Sequence, residues 1–341
     1  MLSLALVLLA AAPFAATAAS AAAPVACRVK NVTLDSQPNA RLAQAIDAAK
    51  PGDKLRIHGV CRGNFVIRKN LKLVSHSLDG TALATLDGRA NGTPVIKVTE
   101  LTAAGHQPNV VIRNIAVTNG FNPAGGAGGG GILNFGDLTL KRWTSVSGNQ
   151  AQYAGGISNY GVVTLNGHTT VSNNSANAGA GGVDNSFEYD GLLVMNDYSS
   201  VANNTSGSGG GGIWSDGSLV MNDSSSVTGN SIRPGGVWSK GGGIYGIGSV
   251  TMSGHATVSG NSAESGGGVE VGYREDDGLG SILLKDHASV IDNTATIGGG
   301  LYAPSPAFVA ACDEASLGYW TGLLSPNATD DPPDVARVAC D

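Results

Sequence analysis

The sequence predicts an all-β fold, a parallel β-helix of three-strand rungs of about 25 residues with a short N-terminal capping helix, and three observations point to it. First, one pattern returns along the chain. Gly130-Gly131-Ile132, Leu138 and Leu140, and Val146-Ser147-Gly148-Asn149 recur 25 residues later as Gly155-Gly156-Ile157, Val163 and Leu165, and Val171-Ser172-Asn173-Asn174. A fixed period in this range marks a solenoid. Second, the apolar residues fall into columns. Ile132, Ile157, Val183, Ile213, Ile244, Val269 and Leu301 form the first, the pairs from Leu138/Leu140 to Ile282/Leu284 the second, and Val146, Val171, Val201, Val227, Val258 and Val290 the third. Three short inward-facing strands per rung follow, with like side chains about 4.8 Å apart up the stack. Third, the L-x-x-L-x-L consensus of a leucine-rich repeat is missing from the rungs.

Composition agrees. The chain has 341 residues, 51 of them Gly, with 13% charged side chains and a net charge of −6. Such glycine content without a pattern reads as disorder; here the glycines are in register and mark crowded or sharply turned backbone. No basic stripe stands out, so a nucleic-acid partner is not expected.

Residues 1–26 hold no charged side chain. The apolar run Leu2–Ala12 followed by small residues at 16–21 reads as a secretory signal peptide, with an uncleaved membrane anchor as the alternative. Secretion is therefore the expected localisation. Residues 27–341 then form a single β-helix domain, with an N-terminal cap over 27–70 and a C-terminal cap over 303–341. The four cysteines can pair in three ways. Cys27 with Cys61 and Cys312 with Cys340 is favoured, because each pair closes a local loop at one end of the solenoid, where caps are needed, and disulfides persist in oxidising compartments. No two cysteines are close enough for a zinc clip, so no metal is expected.

Leu42, Ala45, Ile46 and Ala49 fall at helical spacing within Arg41–Lys50, stopped by Pro51-Gly52. A helix of about three turns is predicted here, plugging the stack. Strands follow at Lys54–Ile57, Asn64–Ile67, Leu71–Val74, Val95–Val98 and Val110–Val117. The rungs then close on Asn149, Asn174, Asn204, Asn230, Asn261 and Asn293, at intervals of 25, 30, 26, 31 and 32. Stacked asparagines at a turn are expected to hydrogen-bond amide to amide, and Asn suits the left-handed conformation of a tight turn. The paired glycines are expected to make a second sharp corner. Insertions at Ser186–Asp190 and Gly272–Gly278 leave one corner; Ile232–Ser239 leaves the corner after the asparagines.

These motifs carry a resemblance. Gly-Gly-x-Ile followed by Ser-x-Asn resembles the repeats of polymorphic outer-membrane proteins. The chain is more similar still to secreted bacterial right-handed parallel β-helix proteins of the pectin-lyase-like class, whose opening resembles Ala45-Ile46-Asp47-Ala48-Ala49-Lys50-Pro51-Gly52-Asp53 through Leu86-Asp87-Gly88. The resemblance covers roughly residues 27–335. It implies a right-handed helix; fold alone does not imply function. The chain ends soon after the last rung, so no transmembrane barrel is expected.

Enzymes of that class use clustered carboxylates, with calcium and a Lys or Arg base in lyases or paired Asp in hydrolases. The carboxylates that come nearest are Asp276 and Asp277 in one insertion and Glu188 and Asp190 in another, three rungs or about 14 Å away, with Asp216 near the same corner. The histidines of Asn166-Gly167-His168 and Ser253-Gly254-His255 share one repeat column, which marks them as ladder positions. That column reads Trp143, His168, Tyr198, Ser224, His255, His287. Trp143, His168 and Tyr198 on successive rungs, with Phe135 and Tyr160 at a neighbouring corner, form a candidate aromatic platform for sugar rings. The sequons at Asn31, Asn91, Asn173, Asn203, Asn222 and Asn327 read as products of Asn/Ser/Thr-rich turns.

An enzyme needs convergent carboxylates and a base in one groove, and adjacent rungs supply none. A secreted or surface-associated, non-enzymatic protein that binds glycans, whether polysaccharide or cell-surface, or other surfaces is therefore expected ahead of a polysaccharide lyase or glycoside hydrolase. No cofactor is expected, and calcium only for the lyase. The oligomeric state is not legible.

Overall fold

The computed structural model describes residues 25–35, 41–75, 84–99, 107–123, 128–186, 191–235, 239–274, 278–303, 308–311, 316–317 and 336–337, with side chains omitted at 273–274, 278–279 and from 308 on. Alternating apolar residues on short strands bury one side of each strand and leave the other outside. Along each rung the chain passes through three long sheets, of nine, twelve and ten strands, called here the first, second and third faces, parallel throughout except for the first strand of the second face. Ile132–Asn134, Asp137–Lys141 and Ser145–Ser147 illustrate the order. Together the faces form a right-handed parallel β-helix, the hand favoured for parallel crossovers.

Register follows the repeat. Val146 pairs with Val171, then Val201, Val227, Val258 and Val290, all of them buried. The second face stacks Leu138, Val163, Leu193, Leu219, Val250 and Ile282 in the same way. A fourth side adds a ladder of two-residue strands, from Phe121–Asn122 through Gln150–Ala151, Ser175–Ala176 and Thr205–Ser206 to Ser231–Ile232. It follows the asparagine corner, and no sequence column announced it.

The N-terminal end is closed as expected, with changes in detail. Arg28–Asn31 pairs antiparallel with the first rung's Lys54–His58, covering that sheet edge. The helix spans only Leu42–Ala48 and buries Leu42 and Ile46. Ala49 is already extended, and Pro51 disfavours helix at Lys50, so the predicted last turn does not form. The stretch predicted as one strand, Val110–Val117, is two strands, Asn109–Arg113 and Ile115–Thr118. Asn114 turns the corner between them at φ +57°. Cys27 and Cys61 are bonded, with Cα atoms 4.6 Å apart, within the span a disulfide needs. Cys312 and Cys340 lie outside the described residues, as do 1–24 and most of the predicted C-terminal cap, of which the short strands Phe308–Ala311, Ser316–Leu317 and Ala336–Arg337 are described.

Two turn readings are corrected. The ladder asparagines are not left-handed. The residue before each one is: Gly148, Asn173, Asn203, Gly229, Gly260 and Asp292 have φ from 54° to 66°. The ladder asparagines are instead buried hydrogen-bond hubs. Asn174 donates from Nδ2 to Asn204 Oδ1 (3.0 Å) and to the Val146 carbonyl (2.9 Å), and the same pattern repeats from Asn149 to Asn261. The paired glycines, likewise, are kept by crowding and not by a left-handed φ. A Cβ on Gly181 would collide with the Gly211 carbonyl oxygen of the next rung and lie 2.7 Å from the Thr205 nitrogen.

Candidate functional site

Between the second and third faces, the rungs from Lys141 on share a turn whose first three residues precede a buried Thr, Ser or Ala. Lys141-Arg142-Trp143, Asn166-Gly167-His168, Asn196-Asp197-Tyr198 and Asn222-Asp223-Ser224 occupy equivalent places, between paired strands of the two faces. The middle residue is left-handed in every case: Arg142, Gly167, Asp197 and Asp223 have φ of 63°, 70°, 58° and 57°. Asp suits that place because its carboxylate also accepts a backbone N–H from the preceding rung. Gly167 N donates to Asp197 Oδ2 (2.7 Å) and Asp197 N to Asp223 Oδ2 (3.0 Å). The first residue of each turn builds a half-buried amide ladder, Asn222 to Asn196 to Asn166, at 2.8 Å per step.

With two of three positions fixed, the third side chain projects at the same height in each rung. Trp143 and His168 stack with centroids 4.1 Å apart and planes 8° apart; His168 and Tyr198 stack at 5.1 Å and 8°. Trp143 is 59% exposed and Tyr198 63%. Further along, His255 stacks on His287 at 5.0 Å. Because the rings stack from rung to rung, their planes lie across the solenoid axis. The stack shows ring edges to solvent along its length, and ring faces only at its two ends: Trp143 toward the earlier rung and Tyr198 toward Ser224. The stack therefore offers two terminal faces joined by an edge.

Phe135 and Tyr160 also stack, at 5.0 Å, with the Lys97 ammonium 6.0 Å from the Phe135 centroid. They sit at the other corner, between the first and second faces. The five-residue strand Asp137–Lys141 separates the two corners, about 16 Å at the usual rise. The five aromatic residues thus form two stacks on opposite edges of the second face.

Asn134, Asn159 and Asn185 form a second buried amide ladder at that corner, each step 2.8 Å, continued from Asn185 to Ser215 Oγ at 3.0 Å. The third place of Ile-Leu-Asn, Ile-Ser-Asn and Val-Asp-Asn held this signal, and the sequence reading passed over it.

The outer side of the first face carries a cluster that sequence reading missed. Asp184, Trp214, Tyr245 and Glu270 are register partners on four successive strands. They occupy the middle place of each Ile-x-Asn-type strand, which alternation turns outward; reading that column would have found them. The Trp214 indole N–H donates to Asp216 Oδ1 (2.6 Å), and its ring meets Tyr245 edge-on at 4.9 Å. Glu270, 1% exposed, accepts from the Ser265 hydroxyl and lies 3.5 Å from Lys240 Nζ. Burial, with Asp216 adding to it, raises the Asp184 carboxyl to about 7. Burial likewise raises Glu270, against the pull of Ser265 and Lys240, and brings the Tyr245 phenol up to about 12, with Glu270 and Asp216 contributing.

The carboxylates named from the sequence, Glu188, Asp190, Asp276 and Asp277, lie outside the described residues. Among the described residues no group of three or more His, Cys, Asp or Glu is arranged to hold a metal, and no helix is long and apolar enough to cross a membrane. Comparison with protein-family models, with curated proteins and with solved structures finds no match to this chain.

Proposed function

We propose that this β-helix is a secreted or surface-associated, non-enzymatic binding module whose contact surface is the corner bearing Trp143, His168 and Tyr198. One observation carries the reading: a three-ring stack stands out from a rigid corner with Trp143 59% and Tyr198 63% exposed. Grouped exposed aromatic rings on a folded surface are a mark of an interaction site. Trp and Tyr offer flat apolar area with a polar handle, which suits the apolar face of a sugar ring against either terminal ring. Asn166, Asn196 and Asn222 supply amides alongside. The pectin-lyase-like resemblance agrees with a glycan ligand. Calorimetric titration of the full chain with a panel of neutral and acidic oligosaccharides tests the reading. Trp143→Ala and Tyr198→Ala should each weaken binding about tenfold, in line with truncating an aromatic anchor. Unchanged affinity in both variants would sink it.

A second reading, glycosidic-bond cleavage on the first face, is favoured by one observation, the Asp184 carboxyl raised to about 7. Such an acid still holds its proton about half the time near neutral pH and can protonate a leaving group. Release of reducing ends by the native chain, abolished in Asp184→Asn, would support it; no release from the same panel would exclude it.

A further inference from the structure

The chain is electrically lopsided. Fifteen of its twenty Lys and Arg lie at or before Arg142, and nineteen of its twenty-six Asp and Glu lie after it. A solenoid converts sequence order into position along an axis, and the described side chains keep the asymmetry: fifteen Lys and Arg against five Asp and Glu up to Arg142, and three Lys and Arg against eight Asp and Glu after it. It runs along the corner that carries the aromatic stack, from Arg113 as far as Asp223, before the last rung's Lys285 and Asp286 balance each other. Arg113 is paired in register with Lys141, and Arg142 follows at the turn. On the later rungs the same turn carries Asp197 and Asp223. Lys141, Arg142, Asp197 and Asp223 are all exposed. Among the described residues, Lys141, Arg142 and Arg113 make no ion pair, and the buried Arg113 Nε has no hydrogen-bond partner. The rings of Trp143, His168 and Tyr198 lie between the two signs of charge.

We propose that this edge is where a second copy of the chain docks, antiparallel, about a two-fold axis perpendicular to the solenoid at the level of His168. The inference rests on the reading of this corner as a contact surface and names its partner. The symmetry does the matching. A dyad at His168 exchanges the Trp143 rung with the Tyr198 rung and the Arg113 rung with the Ser224 rung. Arg142 then faces Asp197 of the second copy, and Arg113 faces its Asp223. Each contact occurs twice, as in any isologous interface. Moving the dyad by one rung destroys the match: centred on Trp143 it sets Arg142 against itself, and centred on Tyr198 it sets Asp197 against itself. The aromatic edges meet at the centre, where Trp, Tyr and Arg anchors concentrate in interfaces. Beside them the third face presents only Ser145, Thr170, Ser200 and Ser226 in one outward column, short side chains that let a second copy approach.

The pairing leaves the terminal ring faces open. Trp143 of one copy and Tyr198 of the other come level, with their outer faces pointing the same way. Each end of the pair then offers two rings side by side, a wider sugar platform than either copy has alone.

The test is sedimentation of the full chain over a concentration series, with the variants Arg142→Asp and Asp197→Arg. Both introduce residues that this left-handed column already holds, Asp at 197 and 223 and Arg at 142. Matching circular dichroism spectra and melting curves confirm that the variants are folded. The native chain should associate to twice its mass, less so at high salt, where exposed pairs are screened. Each variant alone should lose about tenfold or more in association, since like charges then meet twice. An equimolar mixture of the two variants should recover it. In the mixed pair the introduced aspartate of one copy meets the introduced arginine of the other, and the unaltered Arg142 meets the unaltered Asp197. A monomeric native chain, variants that associate as well as the native one, or a mixture that stays monomeric would each overturn the proposal. Oligosaccharide titration separates this from the broader reading. A monomer that loses sugar affinity in Trp143→Ala keeps the binding module and discards the pairing. A dimer indifferent to sugars does the reverse.

Discussion

Replacing Asn204 by Ala should be among the most damaging single changes in the solenoid. Its side chain is fully buried. It donates to Asn230 Oδ1 and to the Val171 carbonyl, both at 2.9 Å, and accepts from the Asn174 backbone N–H and Nδ2, both at 3.0 Å. After truncation Asn174 Nδ2 keeps the Val146 carbonyl, and Asn230 Oδ1 keeps the Asn204 backbone N–H. The Asn174 N–H loses its partner in a dry interior, which costs about 2 kcal/mol; the other lost bonds cost about 0.5–1 kcal/mol each, giving about 4 kcal/mol in all. That is a large share of the 5–15 kcal/mol, roughly, that holds a typical domain together. Asn196 provides the comparison. It lies on the same rung, also in an amide ladder, with 2.8 Å bonds to Asn166 and from Asn222, but half-buried. Water can replace its partners, so Asn196→Ala should cost less than about 1 kcal/mol. Urea unfolding followed by far-ultraviolet circular dichroism measures both. If the two variants unfold within about 1 kcal/mol of each other, the argument that burial sets a ladder's worth is wrong.

Three further outcomes are expected. Gly181→Ala should lower stability by more than about 2 kcal/mol, since its Cβ meets the Gly211 carbonyl of the next rung and neither backbone can retreat; an unchanged melting temperature would contradict this. Ser225→Ala should raise stability by up to about 1 kcal/mol, because the buried Ser225 hydroxyl has no partner and the same column already holds Ala256 and Ala288; a lower denaturation midpoint would refute it. Asp184 fixes a pH dependence. Its carboxyl moves from 3.8 to about 7 on folding, so between those values the folded chain holds the proton more often and stability falls as pH rises. Asp184→Asn should flatten that decline, as denaturation midpoints at pH 4 and pH 7 would show; an equal decline in both proteins would count against it.

The long-range architecture was legible because a repeat writes each spatial contact many times. The valine column from Val146 to Val290, the aliphatic ladders and the asparagine corner all follow from one spacing, since a residue one period away is the neighbour above. The Trp143, His168 and Tyr198 column was legible for the same reason. The local detail was not. Asn and Gly are both suited to left-handed turns, so composition could not tell that Asn204 is a hydrogen-bond hub while Asn203 takes the turn. Nor could it tell that Gly181 is required for lack of room.

The sequence by itself determined which residues share a column, because the period equals one rung and the strand alternates sides. Only the tertiary structure decided how each column is used. It set the rings of the second corner face to face, so that edges meet solvent along the stack and faces only at its two ends. It put Phe135 and Tyr160 across the width of a face from that stack. It gathered Asp184, Trp214, Asp216, Tyr245 and Glu270 on one outer surface, where burial raises the pKa of Asp184, Tyr245 and Glu270. The physical reason is that columns fix position along and around the axis, whereas ring orientation, desolvation and hydrogen-bond satisfaction depend on how neighbouring rungs pack.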